Sequence, residues 1–309
     1  NRQSACCAQE AFQMTGAEKG FLLLTSKLGN PERKVLSAPQ LRVLGQRMQN
    51  MVKPPVDREL ECADLMALGY GEDFAGRILA LLEEEDLLAH YLKKGKNAGC
   101  IPVTRINPLY PQRLIGRLGM ETPGCLWMKG NPDILRMRSV SLVGSRELRD
   151  SNREFAREAG RQAALQGYSL VSGNARGADR TAQNACLEAG GYVISVVADE
   201  LEKQPGHERI LYISEDSFDE GFSAQRALSR NRCIHAWSDK TFVAQCSYER
   251  GGTWDGSVKN LRFGWSELFC YDDESPAVKV LQQMGASTVG IHALRELDCI
   301  ASDTISLFE

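Results

Sequence analysis

The sequence predicts an α/β fold: an open sheet, parallel or mixed, preceded by a small all-helical domain. Three observations predict it. Residues 139–179 read as strand, helix, strand and helix in succession. Short apolar runs and amphipathic stretches go on alternating to about residue 271. The first 94 residues instead carry only helical patterns, broken at Asn30-Pro31 and Pro54-Pro55. The expected division is therefore 1–94 helical, 95–290 a sheet domain of alternating strands and helices, and 291–309 a C-terminal tail.

In chain order, residues 1–16 are small and polar and read as loose chain or a short helix. "EKGFLLLTSKLG" is a helix with a sharp stop, and "APQLRVLGQRMQNM" a second helix ended by Pro54-Pro55. Residues 59–95 hold one or two more. Their centre, "LMALGYGEDFAGRI", is either a helix-hairpin-helix turn, whose amides hold a phosphate, or a plain packing turn. "LLEEEDLLAHYLKKG" places acids early and lysines late, as a helix macrodipole favours. The composition shifts at Lys94–Gly99, and "CIPVTRINPLYPQRLIGRLGMETPGCLWMKGNPDIL" reads as an extended entry into the sheet domain.

Ser139–Val143 is a buried strand broken by Gly144-Ser145-Arg146, and residues 151–166 have helical spacing. "YSLV" is the next strand, followed by the turn Ser172-Gly173-Asn174 and a helix from Asp179. Strands are then expected at "YVISVVA" and "RILYISED". "FSAQRALSRNRCIHAWSDKTFVAQCS" is a helix leading into a strand, and "GGTWDGSVKNLRFGWSELFCY" a Gly-rich turn, a helix and a last strand. Nothing is predicted beyond Ser287.

Composition excludes several classes. No apolar stretch approaches the roughly 20 residues of a membrane span, and no signal peptide is visible. The ten Cys are scattered apart from Cys6-Cys7, with no CxxC, and the four His are isolated. Reduced packing thiols, a cytoplasmic location and no metal or cofactor follow as expectations. A net charge of −3 argues against a wholly basic surface, yet 37 Lys and Arg can still cluster in one groove.

The chemistry concentrates in two turns. Both follow predicted parallel strands, both carry an arginine, and both lie on the edge where open sheets bind ligands. Amides and a helix N-terminus there suit a phosphate, although Gly-Ser turns also arise for geometric reasons. Arg146 is expected beside the amides of Gly144 and Ser145, all three facing one phosphate. There is no GxGxxG and no GxxxxGK[ST].

"SLVGSRE", "SGNARGAD", "ISED" and "RNR", in that order after "NPLYPQRL" and "PGCLWMKGN", resemble the DNA-processing protein A family (DprA/Smf) over about residues 20–290. The resemblance implies an extended Rossmann-like domain after a small helical SAM-like domain, and binding of single-stranded DNA without strong sequence preference. It also implies a homodimer and roles in natural transformation and in loading the RecA recombinase. The sequence reads as a short member without the C-terminal winged helix of many relatives. Carried over by position, the implied DNA-binding residues are Gly144, Ser145 and Arg146; Ser172, Gly173, Ala175, Arg176, Gly177 and Asp179; Glu215 after Ser214; Arg230, Asn231 and Arg232; and Gly251, Gly252 and Thr253. Asn174 stands where the family usually has Leu, the loop after Val197 lacks the usual Gly-Leu-Asp…Tyr-Pro run, and the spacing from Phe222 to Arg230 is long.

Other roles stay open for several of these. Asp179 could be an N-cap, Glu215 could orient an arginine, and Arg230–Arg232 could be a solvated helix end. Trp237, Tyr248, Trp254 and Trp265 are stacking faces or packing residues. The alternative function is a nucleoside monophosphate glycosidase or phosphoribohydrolase. Against it, "ERGGTWDG" lacks the proline and full spacing of that phosphate loop, and no Ser-His-Asp set, metal set or carboxylate pair is visible. The chain is therefore expected not to be an enzyme.

Overall fold

A computed structural model of the protein describes residues 14–51 and 58–301. Cys6-Cys7, Pro54-Pro55 and most of the expected loose start lie outside the described residues. Five helices come first: α1 (Gly16–Thr25), α2 (Ala38–Gln49), α3 (Cys62–Ala67), α4 (Glu72–Leu82) and α5 (Glu85–Asn97). Capping boxes begin the first two, Thr15 with Glu18 and Ser37 with Gln40, so orphan amides are satisfied at both starts. The segment 59–97 thus holds three helices where one or two were expected.

The remainder alternates. β1 (Ile101–Thr104), α6 (Gln112–Leu118) and β2 (Cys125–Gly130) lead to β3 (Ser139–Val143), α7 (Asp150–Leu165), β4 (Ser169–Ser172) and α8 (Ala178–Glu188). Then come β5 (Tyr192–Val196), β6 (Ile210–Glu215), α9 (Ala224–Trp237), β7 (Lys240–Val243) and α10 (Gly251–Phe263). The last elements are β8 (Glu267–Tyr271), α11 (Pro276–Gln283) and β9 (Ser287–Val289). The strands form one nine-stranded sheet in the order β1-β2-β6-β5-β4-β3-β7-β8-β9. Pairing is parallel from β6 to β9 along that order and antiparallel for β1–β2 and β2–β6.

The strands are apolar on both faces because helices cover both. Val140, Leu142, Leu170 and Phe242 pack with Phe155, Ala159 and Ala182 on one side. Val143, Val171, Ile194 and Val243 pack with Cys233, Ile234 and Ala236 on the other. The helical part joins the first of these cores: Tyr91, Trp127 and Phe218 meet with ring centroids 4.6–5.5 Å apart. Glu18 is buried in the same junction, accepting from Thr104 (3.2 Å) and Asn107 (2.6 Å). Helix α5 runs through Lys94–Asn97, where the sequence composition shifts.

Three elements differ from expectation. The stretch taken as an extended entry contains α6, whose Leu114 and Leu118, one helical turn apart, are buried. Beyond Tyr271 the chain adds α11 and the edge strand β9. Among the described residues no helix is long and apolar enough to cross a membrane, no group of three or more His, Cys, Asp or Glu could hold a metal ion, and the cysteines are free.

The turns after β3 and β4 are locked together at Gly177. Its φ is +90°, and a Cβ there would overlap the carbonyl oxygens of Ser145 and Arg146. Gly177→Ala is therefore expected to destabilise the fold by about 2–4 kcal/mol, through strain and collision with backbone. Gly206→Ala, with open space around it, should change stability by less than about 0.5 kcal/mol. Urea unfolding of both variants checks this; equal midpoints would contradict the locking.

Candidate nucleic-acid interface

The chain builds β3 to β6 outward in one direction and β7 to β9 in the other, so β3 and β7 are neighbours whose following loops diverge. Such a switch point leaves a crevice outside the carboxyl ends of the strands. Here it is a groove of about 720 Å³, bounded by the loops after β3, β4 and β7 and by the ends of α9 and α10. A recess of about 300 Å³ adjoins it, and the two share Arg146, Ala175, Phe222 and Arg230.

In the first loop, Gly144 packs closely on Ala178 at the start of α8. Ser145 differs from expectation. Its N–H donates to the Gln245 carbonyl (3.0 Å) and its hydroxyl to the same oxygen (3.2 Å). Parallel pairing with the β7 strand runs on past Val143, so this amide is spent on the fold and does not face a phosphate. Its carbonyl in turn accepts from the Ala178 N–H (3.1 Å). Arg146 is exposed at the rim, and among the described residues no hydrogen bond or ion pair holds its side chain. Neither Glu147 nor Glu215 engages it: Glu147 lies 3.5 Å from Arg176, and Glu215 pairs with Arg232.

The second loop wraps a buried charge. Arg230 is 7% exposed and donates to the carbonyls of Gly173 and Val196, at the ends of β4 and β5. A Cβ on Gly173 would overlap the guanidinium, so glycine is required by close approach. Burial pushes the Arg230 pKa down, and Asp179 is the leading charge that opposes this. Asp179 is itself buried, which raises its pKa, while Arg230 and the Ala175 amide work against that rise. It is no N-cap, since Gly177 takes that position; it closes the loop by accepting from the Ala175 N–H (3.2 Å). Ser172 is buried beside it. Arg176 is exposed, 3.5 Å from the equally exposed Glu147, a pair worth little in water. Asn174 has φ +60°, a left-handed position that Asn tolerates better than the family's usual Leu.

The Arg-Asn-Arg run is divided by helix phase. Residues two apart on α9 sit on different faces, so Arg230 enters the groove floor and Arg232 turns to a separate cleft of about 860 Å³ beside α1 and α2. There Arg232 pairs with Glu215 (3.0 Å), which also accepts from Ser229 (3.1 Å) and Cys233 (3.1 Å). Ser214 is buried and bonded to Arg226 (2.8 Å). Neither Glu215 nor Arg232 lines the strand-end groove. Asn231 does, and its amide donates to the Gly252 carbonyl (3.0 Å). Gly251, Gly252 and Thr253 form the first turn of α10 and line the groove, and the first N–H groups of a helix have no intrahelical partner.

Two further residues belong to the site. Arg250, at the N-cap of α10, is exposed on the groove, with no hydrogen bond or ion pair to its side chain among the described residues. Phe222 is 59% exposed and lines both groove and recess. Arg250 was legible as the residue before a glycine pair that starts a helix. Phe222 carried no such signal. Of the aromatic candidates, Trp237 and Trp265 are buried in the core, and Tyr248 meets Trp254 edge-on at 5.1 Å.

The family model for DNA recombination-mediator protein A matches residues 102–259. DNA processing protein A from Streptococcus pneumoniae is 22% identical and superimposes with a TM-score of 0.68, over 93% of this chain and 99% of its own. DNA processing protein A from Helicobacter pylori, solved for its single-stranded DNA binding mode, is 20% identical with a TM-score of 0.54, over 64% of this chain and 94% of its own. At these identities the two structures establish the shared fold. No curated protein matches the chain. The match to the family model, spanning β1 to α10 and every loop of the groove, shows that the chain belongs to the DNA recombination-mediator protein A family.

Proposed function

We propose that the strand-end groove binds single-stranded DNA, with Gly144, Arg146, Gly173, Ala175, Arg176, Asn231 and Gly251–Thr253 as its contact surface. The observation that carries this reading is the pair of rim arginines, Arg146 and Arg250, exposed and without hydrogen-bond or ion-pair partners among the described residues, on a groove whose floor is fixed by Arg230. Phosphates passing between them would gain charge-assisted hydrogen bonds and release counterions. The α10 N-terminus adds a favourable dipole. Ser145, Ser172, Gly177, Asp179 and Arg230 act beneath this surface as the framework that sets the loops. Glu215 and Arg232 are assigned to that framework too, at the neighbouring cleft. The site is read as binding without turnover, because the carboxylate that a glycosidase would need, Glu215, is held by Arg232, Ser229 and Cys233 outside the groove.

Family membership supports the wider role: protection of single strands and their delivery to a RecA-type recombinase, in recombination and DNA uptake, by a homodimer in the cytoplasm. A monomer in sedimentation equilibrium would remove the dimer from this reading. Failure to speed recombinase loading onto coated strands would remove the mediator role.

The groove is edged by loops, whereas duplex reading needs a helix or ribbon in the major groove. Oligo-dT is expected to bind at least about tenfold tighter than duplex of equal length, roughly 1.4 kcal/mol. Equal affinities in an anisotropy titration would sink the single-strand reading.

Arg146→Ala should cost about 1.5–3 kcal/mol of binding. It should also reduce the salt dependence by roughly 0.7 in log–log slope, one single-strand phosphate contact. Its melting temperature should match wild type, because the side chain is exposed and makes no ion pair among the described residues. A variant that melts early yet keeps affinity and slope would defeat the assignment.

A further inference from the structure

We infer that the strand leaving the groove continues over the outer face of α7, its phosphates held by Arg153, Arg157 and Arg161. The inference rests on the reading of the groove as a single-strand site. Helix α7 begins four residues after Arg146, so its first turn starts at the groove rim. Arg153, Arg157 and Arg161 follow at four-residue intervals, and all three are exposed. Four residues advance a helix by about 6 Å, so the three guanidinium groups form a ladder roughly 12 Å long that leads away from the rim.

Helix phase keeps this ladder apart from the acids of the same helix. Gly160 marks the side of α7 that faces α8, because a Cβ there would overlap the Ala182 carbonyl oxygen. At about 100° per residue, Arg153 and Arg157 lie about 20° and 60° around from Gly160, but Glu154 and Glu158 about 120° and 160°. The arginines therefore edge the seam with α8, and the glutamates lie beyond them. On its outward side α8 offers Thr181 and Asn184, with a carboxylate only at its last residue, Glu188.

The three cations are also available. Arg149, one step earlier in the same register, is excluded because it pairs with the buried carboxylate of Asp273. Arg153 makes no ion pair among the described residues. Arg157 and Arg161 meet Glu154 (3.5 Å) and Glu158 (3.3 Å) at the surface, contacts worth little in water that a phosphate can replace. Glu147, at the corner between rim and ladder, is offset by Arg176. The one ring on α7, Phe155, is buried. Bases along the ladder therefore face solvent, and the contact is with the backbone alone.

The test uses anisotropy with the full chain and oligo-dT of two lengths, about eight and about fourteen nucleotides, within the usual range of site sizes. The triple variant Arg153→Gln, Arg157→Gln, Arg161→Gln should bind the short oligomer as wild type does. On the long oligomer its log–log salt slope should be smaller by about 2, three single-strand contacts. Raising salt from roughly 50 to 200 mM should accordingly cost wild type about 20-fold more affinity for the long oligomer than it costs the variant. A control with the same loss of charge elsewhere, Lys93→Gln, Lys96→Gln, Arg136→Gln, should keep the wild-type slope. The opposite change, Glu154→Gln with Glu158→Gln, leaves every arginine in place and should tighten the long oligomer about threefold and the short one not at all. That pair decides the matter if the arginine variant folds poorly. If the short oligomer binds but the long one gains nothing from the ladder, or the control loses as much, the inference is overturned and the groove reading stands. If neither oligomer binds wild type, the groove reading itself fails.

Discussion

The buried guanidinium of Arg230 is the contact on which the groove depends. It ties the ends of β4 and β5 together from the side, through the carbonyls of Gly173 and Val196, and anchors α9 across both. An arginine so deep loses most of its hydration, and only a site that returns hydrogen bonds and opposite charge can hold it. Asp179 provides the charge, and the same carboxylate closes the loop after β4 onto its own helix. One buried pair therefore sets both the floor of the groove and the shape of its second loop.

Around that floor the chain separates structural from available charge. Ser145 and Gly177 interlock the first two loops through backbone alone, which leaves the Arg146 side chain free of structural duty. Arg250 is released in the same way, because α10 begins at a glycine pair and its N-cap side chain makes no capping bond. Anion binding then needs little rearrangement, since the cations already stand at the rim and the first turn of α10 lines the same groove. The cleft on the other side of α9 is the contrast. Arg232 is fully engaged there by Glu215, Ser229 and Glu121, a cation committed to joining elements. Asp216 lies in the same cleft, where burial pushes its pKa up to about 6.

Much of this was legible in the sequence. Strands β3 and β4 are apolar runs closed by small residues, and the two arginine-bearing turns follow them as their order implied. What escaped has physical reasons. Helix α6 is seven residues between proline-rich and glycine-rich flanks, too short for periodicity to register. Strand β9 has three residues, and its strand character comes from pairing with β8. The Ser145 amide is consumed by a partner a hundred residues away, and no local pattern encodes that. The separation of Arg232 from Arg230 was within reach, because two residues on a helix differ by about 200°. Phe222 becomes meaningful only once the loop after β6 is folded over the ends of β4 and β5.

The central claim is that a single strand lies along the carboxyl edge of the sheet, over the loops after β3, β4 and β7. Photo-crosslinking with 4-thiothymidine substituted along an oligo-dT, followed by peptide mapping, tests it most directly. The account predicts adducts confined to peptides carrying residues 144–147, 173–177, 222 and 247–253. Adducts concentrated on α1, α2 or the cleft that holds Arg232 would contradict it.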